Sequence, residues 1–127
     1  MVLWHGESGR KSTGGKIQSA RKKRKYELGR ETVYPKIGEE KRTVIVTKGG
    51  GKKVKLSSLS FVNVLDKKNG TAKKVKILDV ITNTANPDLA RRKVVTRGAV
   101  VNTELGKAKI TSRPTQHGIV NAVLIEQ

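Results

Sequence analysis

The chain has 127 residues and a formal net charge of +18, from 28 Lys and Arg against 10 Asp and Glu. A chain this short is one small domain with at most an appendage; so large a surplus repels itself unless a polyanion neutralises it, and nucleic acid is the commonest such partner. Cysteine is absent, which excludes a disulfide framework and a thiolate metal site, and no apolar run approaches the roughly 20 residues that span a bilayer.

Residues 1–42 carry 12 Lys and Arg and 5 Glu, but only ten large apolar residues. Met1-Val2-Leu3-Trp4 is too short for the apolar part of a secretory leader, and His5-Gly6 follows at once, so an intracellular setting is expected. Gly6, Gly9, Gly14 and Gly15 favour an adaptable, extended backbone. Thr13-Gly14-Gly15-Lys16 has part of a phosphate-loop pattern. Arg10 stands at its first Gly position and Ile17 at its hydroxyl position, so nucleotide hydrolysis is not expected. Five consecutive cations follow, Arg21-Lys22-Lys23-Arg24-Lys25. Ile17 to Leu28 has the composition of a short helix with Gly29 as its stop. Such a helix is marginal alone in water and is expected to order on a partner. With so little to bury, residues 1–42 read as a basic N-terminal extension.

Residues 43–127 hold 27 large apolar residues, 19 of them Val or Ile, and still carry a net charge of +11. β-Branched enrichment points to strands. Thr43–Lys48 reads as a strand and Gly49-Gly50-Gly51 as a turn. Lys53-Val54-Lys55-Leu56 alternates charged and apolar groups, the pattern of a half-buried strand, and Phe61–Leu65 is a further apolar run. Asp66-Lys67-Lys68-Asn69-Gly70 is a hairpin loop. Lys74-Val75-Lys76-Ile77 alternates again, and Leu78-Asp79-Val80-Ile81 breaks the alternation, which predicts a bulge or bend. Asn86-Pro87 predicts a helix cap with proline at the first position, and one helical turn over Asp88–Arg92. Val94-Val95 begins another strand, with Gly98 as a break. Val100–Thr103 and Lys107–Ser112 form a hairpin around Glu104-Leu105-Gly106, Arg113–Gly118 is a loop, and Ile119–Ile125 is a closing buried strand interrupted at Asn121. The total is about six short strands and one helical turn. The predicted class is all-β, with a small closed or nearly closed barrel over 43–127, since closure removes exposed edges.

Catalytic chemistry is missing from this pattern. His5 and His117 are the only imidazoles, and neither has metal-ligand spacing with other donors. No Ser-His-acid set stands out. The expectation is a non-enzyme with no cofactor, no metal, no small-molecule substrate and no membrane. Basic residues on extended backbone can instead follow phosphates at about 3.3–3.6 Å per residue, with Arg offering a fork and Lys a point charge. Arg10, Lys11, Lys16, Arg21, Lys22, Lys23, Arg24, Lys25 and Arg30 are the candidates in the extension. Trp4, Tyr26 and Tyr34 lie among these cations, where a ring can stack on an unpaired base or pack on protein. A second basic face is expected from Lys52, Lys53, Lys74 and Lys76 on neighbouring strands, the last two sharing a side by the two-residue period. Arg113 in the late loop is a further candidate.

Several strings in the chain have a familiar look. Trp4-His5-Gly6, Thr13-Gly14-Gly15-Lys16 and Arg21-Lys22-Lys23-Arg24-Lys25-Tyr26-Glu27-Leu28-Gly29-Arg30 resemble the N-terminal signature of the small-subunit ribosomal protein family called "S eight e". Lys36-Ile37-Gly38, Gly49-Gly50 with Lys52-Lys53-Val54, Asn83–Ala90 and Thr111-Ser112-Arg113-Pro114 fit as well. The short length resembles the archaeal rather than the eukaryotic members. Gly51 departs from the usual Asn, and Thr115 and His117 from the Gly and Asp typical of archaeal members. The resemblance implies a small β-barrel with an N-terminal segment threaded into small-subunit ribosomal RNA. It also implies a structural constituent of the ribosome, cytoplasmic and monomeric there, with neighbouring ribosomal proteins as further partners. A free nucleic-acid-compacting protein, acting off the ribosome, is the alternative that the charge alone allows.

Overall fold

With few apolar groups available, the first part of the chain forms only short elements. A computed structural model describes residues 2–125, which divide into two compact units with the boundary between Thr32 and Val33. In the first unit no described residue is buried. Strand β1 (Leu3–Trp4) pairs antiparallel with β2 (Leu28–Gly29), and His5 N–H donates to the Glu27 carbonyl at 2.9 Å. Of the segment Ile17–Leu28, only Lys25–Glu27 is helical, as a single 3-10 turn.

The second unit begins with a three-stranded sheet. Strand β3 (Lys36–Ile37) runs parallel, and β4 (Lys41–Val46) antiparallel, to a central β5 (Lys52–Leu59). The Gly-rich turn joins β4 to β5, closed by a 3.1 Å bond from Gly50 N–H to the Thr47 carbonyl. Ladder pairing therefore starts upstream of Thr43, and Pro35 is fully buried.

After Ser60 the chain enters a closed five-stranded barrel. Its strands are β6 (Phe61–Asp66), β7 (Thr71–Thr82), β8 (Val100–Thr103), β9 (Gly106–Ile110) and β10 (Asn121–Leu124). Four antiparallel neighbours form a meander, and a parallel pairing of β10 with β6 closes it. The two-residue period turns Val62 and Val64 of β6 inward and Phe61, Asn63 and Leu65 outward. Val75 and Ile77, Val101, Ala108 and Ile110, and Ala122 fill the interior from the other strands. Small Ala108 and Ala122 alternate with larger residues, which suits the narrow interior of a small barrel. Each fully buried Val or Ile contributes about 1.5–3 kcal/mol.

The predicted irregularity in β7 is present. Register shifts occur between Ile77 and Asp79 and between Val80 and Thr82. The first restores inward facing to Val80 after Ile77, three residues on rather than two, leaving Leu78 outside. The hairpin at Asp66–Gly70 is also as predicted; Asp66 Oδ1 accepts from Lys68 N–H at 3.0 Å. Helix α1 (Pro87–Arg91) starts at the expected cap, with Asn86 Oδ1 accepting from Asp88 N–H at 2.9 Å.

Four details differ from the sequence expectation. The barrel closes with five strands, the remaining strands of this unit forming the separate sheet. Val94-Val95 is not a strand. Both residues are wholly buried, and their N–H groups donate to the carbonyls of nearby Leu89 and of distant Pro35, single bonds that replace a ladder. The Arg113–Gly118 loop contains a second helical turn, α2 (Pro114–His117), initiated by proline and ended by Gly118 in the left-handed region at φ 70°. Asn121 does not interrupt the closing strand; it is the first residue of β10 and pairs with Asn63.

Candidate nucleic-acid interface

The first unit concentrates cations on surface with nothing beneath it. Nine Lys and Arg lie within residues 1–32, against three Glu. A tight loop gathers three of them. Arg10 and Lys16 face each other in an antiparallel bridge. Lys11 N–H donates to the Gly15 carbonyl at 2.8 Å, and Gly14 N–H to the Lys11 carbonyl at 2.9 Å. Gly14 sits at φ 86°, a conformation that side chains disfavour, and Arg10 Nη1 donates to its carbonyl at 3.1 Å. The Gly-Gly pair thus builds a small basic loop.

The run Arg21–Lys25 is set by Glu27. Arg21 Nη2 lies 2.6 Å from Glu27 Oε1, and Arg24 N–H donates to Glu27 Oε2 at 3.0 Å. The Arg21 guanidinium first, and the Arg24 backbone N–H next, hold the Glu27 carboxyl below the usual carboxylate range. One acidic residue therefore orients two members of the run and caps the 3-10 turn. Lys23 Nζ lies 5.1 Å from the Trp4 ring centre and Arg21 lies 5.9 Å from that of Tyr26. At exposed sites such contacts are worth about 0.5–1 kcal/mol, little enough for a base or phosphate to replace them. Lys22, Lys25 and Arg30 are exposed.

In the second unit the expected basic face is divided between two sheets. Lys52 and Lys53 lie on β5, and Lys74 and Lys76 on β7. Sequence alternation fixes facing within a strand but not which strands adjoin. Lys53 Nζ donates to Gln116 Oε1 of α2 at 3.1 Å. Lys74 and Lys76 do share an outward face, and Lys74 Nζ sits 4.9 Å from the centre of the exposed Phe61 ring. Arg113 precedes α2, its N–H donating to His117 Nδ1 at 3.2 Å. Arg92 stands 5.4 Å from the Tyr34 ring.

Sequence reasoning did not single out Arg42, Phe61 or Ile119. They line a groove of about 250 Å³ with Lys74. The signal was present for Phe61: once Val62 and Val64 face inward, the residue before them must face out.

Among the described residues, no cluster of three or more His, Asp and Glu could hold a metal, and no helix is long and apolar enough to cross a membrane. Every buried side-chain nitrogen or oxygen described has a hydrogen-bond partner. Asp79 is held below its ordinary range by the Val80 N–H and then by Lys93, in a solvent-exposed ion pair between β7 and the segment that follows α1. Fold and composition together define a small, strongly basic protein with a closed five-stranded β-barrel. The family model of ribosomal protein S8e matches residues 4–125, and the chain belongs to that family. Small ribosomal subunit protein eS8 of Methanococcus aeolicus is 48% identical over 128 residues, covering 100% of both chains. The proteins of the same name from Methanocorpusculum labreanum and Methanospirillum hungatei are each 48% identical over 125 residues, covering 98% of this chain and 100% of their own.

Proposed function

We propose that this chain binds and stabilises small-subunit ribosomal RNA as a structural constituent of the small ribosomal subunit. The observation that carries the reading is the nine cations held on a unit in which no described residue is buried. The names of the full-length relatives point to the same particle. Residues up to Thr32 act as a basic extension laid between RNA segments, and the second unit, which includes β3 and β4, as the body that anchors it. Arg10, Lys11 and Lys16 serve one phosphate cluster, and Arg21–Lys25 with Arg30 another. Contacts go mainly to phosphate and sugar, so RNA shape is recognised more than sequence. The protein works in the cytoplasm, as a monomer within the ribosome, beside neighbouring ribosomal proteins.

Sedimentation tests this. After a moderate-salt gradient, the protein should migrate with small subunits in equimolar amount. Recovery only in free or DNA-bound fractions would favour the off-ribosome compacting protein instead.

A further inference from the structure

The groove beside Phe61 has a composition that phosphate neutralisation alone does not require. Phe61 and Ile119 are 46% and 49% exposed, although each neighbours residues that are wholly inside. Buried Leu59 contributes to the same lining. Arg42 and Lys74 supply two cations, and Glu40 accepts from Arg42 Nε, which holds the guanidinium in place. Asn63 contributes an amide, itself positioned by donating Nδ2 to Asn121 Oδ1 at 3.1 Å. The volume of about 250 Å³ is less than one turn of an α-helix about 10–12 Å across would fill, so the groove suits a small group rather than a helix.

We infer that this groove takes one unpaired nucleotide splayed out of a single-stranded stretch of RNA. The inference rests on the RNA-binding reading above and adds a second mode to it. The base stacks on the Phe61 ring with Ile119 at its edge, and the Asn63 amide meets its polar rim. Lys74 now occupies a face of the ring at 4.9 Å, on a flexible four-carbon stem. When a base arrives, the ammonium moves to the nucleotide's phosphate, and Arg42 supports it. Stacking on an aromatic side chain is stronger than an exposed cation–ring contact, so the exchange favours the base. The charge argues for RNA over an apolar peptide: two cations against one carboxylate, in a chain of net charge +18, favour an anionic ligand. Recognition through a stacked base also selects unpaired RNA, because a paired base does not offer its face.

The test uses the full chain and two probes, a single-stranded RNA octamer and a duplex RNA of equal length, titrated at fixed salt. Phe61→Leu keeps an apolar group and removes the ring; Ile119→Ala trims the apolar edge without touching any charge. Phe61→Leu is expected to weaken single-strand binding about tenfold, the lower part of the range for a lost base stack. Duplex binding and the salt slope should stay unchanged. Ile119→Ala should give a smaller loss of the same selectivity. Equal loss on both probes, or none on either, would overturn the inference. So would an unchanged RNA affinity with poorer incorporation into subunits, which would assign the groove to a neighbouring protein. If wild-type protein binds neither probe, the RNA-binding reading itself fails, an outcome distinct from wild-type binding that is indifferent to Phe61.

Discussion

Neutralising Lys22, Lys23 and Lys25 together, each to Gln, asks how many phosphates the basic run meets. All three side chains are exposed, and Lys23 gives up only its contact with Trp4. Stability should therefore change by less than about 0.5 kcal/mol, as for most surface substitutions. Each neutralised phosphate contributes about 0.7–0.9 to the slope of log affinity against log salt, so three lost contacts lower it by about 2–3. Between 50 and 200 mM salt, wild-type protein should then lose about 20- to 40-fold more affinity for a small-subunit RNA fragment than the triple variant does. Fluorescence anisotropy across that range measures both slopes. Arg21→Gln is the internal comparison. Arg21 already spends its charge on Glu27 at 2.6 Å, so its removal should shift the slope by less than about 1. A triple variant with the wild-type slope would refute the idea that this run meets RNA phosphates.

Gly118→Ala should destabilise the protein by about 2–5 kcal/mol, from left-handed backbone strain plus overpacking: the added Cβ would lie 2.7 Å from Val54 Cβ and 3.0 Å from the Val54 carbonyl oxygen. Gly70→Ala, at φ 63° with nothing within 4 Å, should cost only the strain, about 1–2 kcal/mol; urea midpoints at unchanged m separate the two, and equal shifts would mean that Gly118 is not packed against Val54 of β5. Asp79, whose carboxyl is held low by the Val80 N–H and Lys93, stabilises the fold above the ordinary Asp range near 3.9, and that contribution disappears as pH falls through the lowered value. Asp79→Asn should thus lower the urea midpoint at neutral pH and converge on wild type in strong acid; a constant difference at every pH would exclude the ionised carboxylate as the cause.

The barrel was legible in the sequence because its strands alternate cleanly. Val62-Asn63-Val64 and Lys74-Val75-Lys76-Ile77 give their facing directly, and the break after Ile77 marks the bulge. Asn86-Pro87 is a cap whose bond needs only residues two apart, and it formed as predicted. Long-range placement was less legible. Val94-Val95 has the composition of a strand, yet its partners are carbonyls of Leu89 and of Pro35, far upstream, which no local pattern reveals. The division of Lys52 and Lys53 from Lys74 and Lys76 is likewise a matter of which strand neighbours which. The groove was hidden for the same reason: Arg42, Phe61, Lys74 and Ile119 come from β4, β6, β7 and the segment before β10.

The alternation that builds the interior also distributes the charge. Every inward Val of β6 and β7 requires an outward neighbour, and β7 fills those positions with Lys74 and Lys76. β9 does the same with Lys107 and Lys109 around Ala108. A barrel made this way acquires a basic exterior without spending any core position on it, so fold and charge can be selected together. The first unit lacks that coupling. No described residue in it is buried, and one carboxylate, Glu27, orders two arginines where a core would otherwise do so. Stability measurements should accordingly register substitutions at inward barrel positions, while those at Arg10–Arg30 register in RNA affinity and its salt dependence. The two readouts separate because the buried residues lie in the second unit and this run of cations in the first.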